Sequence, residues 1–373
     1  MKTRSRPGVI ALILASMTGC IDTIPSQSTF VVSGRVVGLV GQGLELRLDG
    51  SERLAPGRNG LFGFAGRLDD GATYRVEVTA QPSAPAQRCV VFDGEGVVRG
   101  DDVSAVTVAC SLVAGTFNLE WFGPASSDSK KTAIAGAIKA GGYGLLAVEE
   151  VSGLDTLRAF ASAYLGPDWD ARLGNSGGTQ RVGFLYRPSV LTVLDSGELD
   201  AQRSGGLVDP TSAAWYGLRL PYWARVATSS DGAELELVAV HFKAYGDSSS
   251  CATRAAQVVA LDAWLATREA SPVMVTGDFN DELTGNGICG SVDTLAPFEA
   301  DTGLTFLTAQ PANMADTYYT NIGYRSTIDH VVVTAPLLGR VAALDAEGHK
   351  AAVVMHGNEG ASDHQPPYIW LAW

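Results

Sequence analysis

The stretch Val273-Met274-Val275-Thr276-Gly277-Asp278-Phe279-Asn280 decides the fold. Its near-continuous apolar run is that of a strand buried between other layers. It ends on Gly277-Asp278-Phe279-Asn280, where a carboxylate and an amide stand two residues apart and share a face wherever the strand continues. Working outward, four further strands of this character are expected at Leu145–Val148, Arg181–Tyr186, Leu235–His241 and Ile328–Thr334. Helices are expected between them, at Lys130–Ala140 and Thr253–Arg268. In the second, Ala256, Val259, Ala260, Ala263 and Trp264 recur at spacings of three and four, which makes one apolar face. Strands and helices mixed in this way imply a layered α/β domain over residues 113–373.

Polar residues gather where these strands end. The segments are Phe117-Asn118-Leu119, Val148-Glu149-Glu150-Val151, Val240-His241-Phe242-Lys243, Gly277-Asp278-Phe279-Asn280, Thr327-Ile328-Asp329-His330 and Ser362-Asp363-His364. A lone Asp, Asn or His at such a place is usually a turn, cap or core residue. Six segments in this order are a joint pattern. The order resembles the endonuclease/exonuclease/phosphatase superfamily across residues 113–373, and most nearly its pancreatic-type deoxyribonucleases. Phe117-Asn118-Leu119-Glu120-Trp121-Phe122-Gly123 looks like that group's opening strand. Phe184-Leu185-Tyr186-Arg187-Pro188 with Val193-Leu194-Asp195, and the closing Ser362-Asp363-His364, have counterparts there too.

The resemblance implies a four-layer α/β/β/α sandwich and a phosphodiester hydrolase that uses Mg²⁺ or Mn²⁺. Such chemistry needs an in-line water, a neutralised non-bridging oxygen and a stabilised leaving group, and oxygen ligands hold these hard cations. Glu150 and Asn118 then fall at the metal, with Asp363 near it. Strand alternation turns Glu149 to the opposite face. Asp278 and Asn280 orient the water and hold the phosphate. His364 is the base or transition-state donor, and Asp329 its orienting carboxylate, which fixes the tautomer and raises the pKa. His241 serves the phosphate or the leaving group, and Arg219 contacts phosphate. His330, His349 and His356 are expected to be structural, and Lys243 and Arg254 to be solvated charges near the rim.

Departures from the family pattern bear on substrate. Where the deoxyribonucleases pair a Glu with the first imidazole, this chain has Gln180, an amide that orients His241 without favouring its charged form. Residues that grip a DNA minor groove align with Glu120, Ser152 and Gly178, none of which can replace an Arg or Tyr there. The net charge of −13 also argues against strong non-specific binding to polyanions, which rests on Lys and Arg. Three functions follow for comparison. The first is a nuclease with nucleic acid as substrate. The second is a phosphohydrolase acting on phospholipid head groups or small phosphoesters. The third is a surface binding module with an inert enzyme domain.

The chain of 373 residues has room for a second domain. Residues 29–111 look all-β: Leu44, Leu46 and Leu48 alternate with charged residues, as do Tyr74, Val76 and Val78. This region resembles small Ig-like or transthyretin-like modules of exported bacterial proteins. Ahead of it, Lys2, Arg4 and Arg6 precede an apolar stretch, Val9–Met17, too short to span a bilayer. Met17-Thr18-Gly19-Cys20 resembles a lipobox. The reading is a signal peptide over 1–20, lipidation of Cys20, a tether over 21–28, and a monomer exported and anchored in a membrane. In an oxidising compartment the other cysteines are expected to pair as Cys89–Cys110 and Cys251–Cys289. The competing reading, zinc, lacks any C-x-x-C spacing.

Overall fold

The computed structural model describes residues 28–39, 41–83, 89–229, 232–283, 287–309, 319–342, 350–357 and 360–371. The leader, Cys20, the tether up to residue 27, and His349 lie outside the described residues. Among the described residues, no helix is long and apolar enough to cross a membrane.

The N-terminal region is largely strands: β1 (Thr29–Val37), β2 (Glu45–Leu48), β3 (Glu52–Leu54), β4 (Gly60–Asp69), β5 (Thr73–Ala80), β6 (Val90–Phe92), β7 (Glu95–Val97) and β8 (Val103–Ala109). They form two four-stranded sheets, β4-β1-β8-β6 and β3-β2-β5-β7. The alternation of Leu46 and Leu48 with Glu45 and Arg47 puts both leucines in one core with Val32, Val36, Val106 and Val108. Cys89 and Cys110 are disulfide-bonded there, as expected from their proximity.

Two residues after β8 the chain enters β9 (Leu112–Phe122), then α1 (Asp128–Gly141), β10 (Leu145–Val151), α2 (Leu154–Phe160), β11 (Asp170–Leu173), β12 (Arg181–Tyr186) and β13 (Leu191–Glu198). There follow α3 (Ala201–Ser204), β14 (Tyr222–Thr228), β15 (Glu234–His241), α4 (Ser248–Leu265), β16 (Val273–Asp278), α5 (Ala296–Ala300), β17 (Leu304–Phe306), β18 (Asp329–Thr334), α6 (Ala335–Leu338), β19 (Val353–Val354) and β20 (Pro367–Leu371). Two six-stranded sheets result, β11-β12-β10-β9-β20-β19 and β13-β14-β15-β16-β18-β17.

The second sheet is apolar on both faces. Leu237 and Ala239 of β15, Met274 of β16 and Val331 and Val333 of β18 share one core with Leu146, Ala147 and Val148 of the first sheet. Their alternate neighbours Val238, Val240, Val275 and Val332 pack instead with Val258, Leu261 and Trp264 of α4. Two-sided burial is why these strands read as unbroken apolar runs. Helix α4 begins at Ser248, earlier than its apolar face indicates. Asp247 caps it, accepting hydrogen bonds from the N–H groups of Ser249 and Ser250.

Register places the chemistry. Strands β15 and β16 run parallel with His241 opposite Asp278. Strands β16 and β18 run antiparallel with Asp278 opposite Asp329. In the first sheet β9 and β10 are parallel, Asn118 faces Glu149, and the register shifts between Glu149 and Val151. Glu150 occupies that bulge at φ 59°. A bulge re-aims one side chain out of the strand's alternation.

Candidate active site

His364, Asp329, Asp278 and His241 meet at the ends of β15, β16 and β18. The Nδ1 of His364 lies 2.7 Å from Oδ2 of Asp329. Its Nε2 lies 3.8 Å from Oδ2 of Asp278 and 3.8 Å from Oδ1 of Asp363. Burial alone would lower this imidazole's pKa. The Asp329 carboxylate, then Asp278 and Asp363, outweigh it and push the group up to about 10. Asp278 is buried, which raises its pKa, while His364 opposes the rise. Its Oδ2 accepts from Asn118 Nδ2 at 3.0 Å and its Oδ1 from the N–H of Asn280 at 2.9 Å. Asn280, at φ 55°, turns its amide onto the carbonyl of Phe242 at 3.2 Å. The pair expected to share a strand face therefore converges by a turn, since β16 ends at Asp278.

His241 is buried, with Nε2 3.6 Å from Oδ2 of Asp278. Its pKa is well below the ordinary value, first through burial and then through the positive charges of Arg219 and His364. The expected contact with Gln180 is not formed: the Nδ1 of His241 has no hydrogen-bond partner. Gln180 instead accepts from Arg219 Nη1 at 3.3 Å. Arg219 is turned onto the main chain, donating to the carbonyls of His241 at 3.1 Å and Phe242 at 2.8 Å. It clamps the end of β15 and borders the cavity.

Glu150 Oε1 lies 3.4 Å from Asn118 Nδ2, and its Oε2 accepts from the N–H of Trp121 at 2.9 Å. Glu149 is fully buried and accepts from Thr116 Oγ1 at 2.7 Å, on the strand face that Thr116 shares with Asn118. It is therefore not turned to the opposite face as strand alternation implied; the bulge at Glu150 breaks that alternation. Burial raises its pKa well above the carboxylate range, so it is a core acid. Glu150, Asp278, Asp363 and His364 line a cavity of about 910 Å³. The residues fit a hard divalent cation. Two carboxylates, Glu150 and the exposed Asp363, offer oxygen donors to it, which suits Mg²⁺ or Mn²⁺. Asn118, expected there too, instead presents its Nδ2 to Glu150 and Asp278 while its Oδ1 accepts from the N–H of Glu120 at 3.0 Å. Ligand atoms of Asp278, Asp329 and His364 also lie within 4.8 Å of one another. There Nδ1 of His364 is committed to Asp329, so this group is a hydrogen-bonded acid–base set.

Arg254 departs from its reading as solvated charge. It is fully buried and donates to the carbonyls of Lys243 and Tyr245, to Thr294 and to Asp281. Lys243 stays at the rim, its ammonium 4.8 Å from the Tyr245 ring. His330 is structural, as expected, between Thr308 Oγ1 at 2.9 Å and the Asp281 carbonyl at 3.0 Å. His356 packs edge-on to Tyr319. Cys251 and Cys289 are bonded, tying α4 to the loop after Asn280. One site residue, Asn321, carries no sequence signal, and Ser362 stands in the closing motif without a role read for it. The Asn321 amide lies 3.2 Å from Nε2 of His364. Ser362 donates to the Asn118 carbonyl at 2.7 Å and accepts from the N–H of His364 at 3.1 Å, which ties the loop that carries His364 to β9.

Two apolar-cored sheets with a carboxylate-oriented imidazole and oxygen donors at their shared edge make the layout of a phosphoester hydrolase. The sequence agrees: residues 115–364 match the Endonuclease/Exonuclease/phosphatase family, and the chain belongs to it. Members of this superfamily hydrolyse phosphoesters and are in general dependent on divalent metal. An endonuclease/exonuclease/phosphatase family protein of Bacteroides thetaiotaomicron has a similar fold, with TM-score 0.53 and 16% identity over 70% of this chain and 98% of its own. A conserved protein of unknown function from Enterococcus faecalis V583 gives 0.50 and 17% over 70% and 99%. The human Nocturnin catalytic domain with bound sulfate gives 0.50 and 16% over 69% and 92%. No curated protein matches the sequence.

Proposed function

We propose that this chain is an exported, divalent-metal-dependent phosphodiesterase that hydrolyses nucleic acid. The observation that carries the reading is the imidazole of His364, locked to Asp329 at 2.7 Å with Nε2 at a cavity that Glu150 and Asp363 also line. Charged at neutral pH, His364 donates to a phosphate oxygen as negative charge grows there in the transition state. Asp278, raised by burial, accepts a proton from the attacking water, and Asn280 holds a phosphate oxygen beside it. His241, kept neutral, positions the phosphate. A divalent cation held by Glu150 and Asp363 would neutralise a non-bridging oxygen, with Asn118 positioning the Glu150 and Asp278 carboxylates through its Nδ2.

Packing of α4 on one face of the second sheet and the first sheet on the other supports the four-layer α/β/β/α reading. The N-terminal strands fit an Ig-like or transthyretin-like module. The basic leader and Cys20 support a lipid-anchored monomer at a membrane surface. A phospholipid substrate has less support: of the aromatic pairs Trp215-Tyr216 and Tyr222-Trp223, the candidates for membrane contact, Trp215 and Tyr222 are buried, Trp223 is half-buried and Tyr216 alone is exposed.

The test is a panel assay of protein lacking residues 1–20, with Mg²⁺ or Mn²⁺. Substrates are plasmid DNA, single-stranded DNA, RNA, sphingomyelin vesicles and bis-p-nitrophenyl phosphate. Nucleic acid should be cleaved, and EDTA should abolish cleavage. Turnover of sphingomyelin alone, or of nothing, overturns the reading.

A further inference from the structure

Four aromatic rings are largely exposed among the described residues: Trp121 at 64%, Tyr245 at 68%, Tyr324 at 88%, and Tyr216. The first three line the catalytic cavity. Exposed aromatic surface costs free energy in water, so its concentration at one mouth marks a binding surface.

These rings are anchored. Trp121 has φ 53° and Tyr245 φ 77°, a region that disfavours bulky side chains and persists where surroundings impose it. The N–H of Trp121 donates to Oε2 of Glu150. The carbonyl of Tyr245 accepts from Arg254, which also bonds Asp281. The N–H of Tyr324 donates at 3.0 Å to Oδ1 of Asn321, whose amide touches His364. Each ring is thus tied through its main chain to a group at or beside the catalytic cluster. Ile288, also exposed, packs on Gly246 beside Tyr245, where an added Cβ would meet its carbonyl at 2.5 Å.

We propose that Trp121, Tyr245 and Tyr324 form a stacking platform for unpaired bases, so that single-stranded nucleic acid is the preferred substrate. This rests on the nuclease reading and narrows it. Bases in a duplex keep their faces inside their own stack, where exposed rings cannot reach them. An unpaired strand presents every base face, and stacking on aromatic side chains then supplies affinity with little sequence preference.

The experiment compares a short oligothymidylate, its duplex with oligoadenylate, and an abasic strand of equal length. The unpaired strand should be cleaved faster than either. Trp121→Ala, Tyr245→Ala and Tyr324→Ala keep the main-chain anchors. Each should lower the ratio of kcat/KM on the base-bearing strand to that on the abasic strand by about 5- to 100-fold, with Trp121→Phe retaining most of it. A ratio that does not move, or a loss confined to sphingomyelin vesicles, overturns the platform and leaves the nuclease assignment standing. If wild-type protein cleaves no nucleic acid but does turn over bis-p-nitrophenyl phosphate, the nuclease reading fails and the platform with it.

Discussion

His364 keeps its proton because Asp329, 2.7 Å away, makes the charged form the stable one. The folded pKa, about 10, lies above the ordinary value of about 6.5. Stability from this pair is therefore complete below the ordinary value and is lost as pH rises through about 10. Activity that needs the imidazolium should fail on the alkaline side only there. Asp329→Asn removes the charge that outweighs burial, so the alkaline limb of kcat should move to lower pH. His364→Ala should reduce kcat by about 10²–10⁴ with little change in KM, as for a group that acts in the transition state. Profiles of kcat against pH for the three proteins check this, and an unmoved limb in Asp329→Asn would remove His364 from the proton-donating role. Most of this cluster was legible because its members stand in short motifs at strand ends, and register alone then aligns His241, Asp278 and Asp329. The partner of His241 was not legible. Whether Gln180 faces an imidazole or a guanidinium depends on the path of the Arg219 side chain, which no spacing encodes. Asn321 reaches His364 through an isolated bridge between two loops, a contact without periodicity.

The strands were read closely because burial on both faces leaves a strong sequence trace, and β12 falls on Arg181–Tyr186 as expected. What periodicity misses is how elements are tied at their ends. Arg254 carries that load on α4. It was read as a solvated cation because a lone Arg on a helix is usually that, yet its guanidinium is enclosed by carbonyls of residues 243 and 245, Thr294 and the buried Asp281. Arg254→Met would leave Asp281 buried without its cation. Removing one member of such a pair costs about 3–5 kcal/mol, which a shift of the urea midpoint at unchanged slope would report. Arg254→Lys should rescue little, because a point charge cannot fill a fork of four acceptors. A loss below 1 kcal/mol for Arg254→Met would mean that Asp281 finds another donor and that the tie is redundant.

At the scale of the whole molecule, the N-terminal strands are joined to the enzyme by more than the chain. Val37, Phe92 and Ala109 belong to the same core as Leu112 and Tyr143. Arg35 donates to the carbonyl of Ala140 at 2.6 Å. The helix end at Gly142 sits against Val37 and Thr107, where an added Cβ would come within 2.9 and 3.1 Å. The most specific tie is Arg187, in the Tyr186-Arg187-Pro188 stretch that has a counterpart in the family. Its buried guanidinium lies 4.0 Å from the ring of Phe92 and 4.7 Å from that of Trp169, and its Nε donates to the carbonyl of Tyr143 at 3.1 Å. Asp93 and Asp168 flank it at 3.9 and 3.6 Å. Two regions sharing a core unfold together, so calorimetry of the chain without its leader should give one transition with calorimetric and van't Hoff enthalpies equal. Arg187→Ala removes the stacked cation and its charge-assisted hydrogen bond. It should lower the stability of that single transition by about 2–4 kcal/mol. If the regions were separate, the wild-type trace would split in two and Arg187→Ala would move only the part that contains residue 187. Joint movement would instead mean that the N-terminal strands stabilise the enzyme they precede, and that cutting the chain at residue 111 exposes apolar surface at Leu112 and Tyr143.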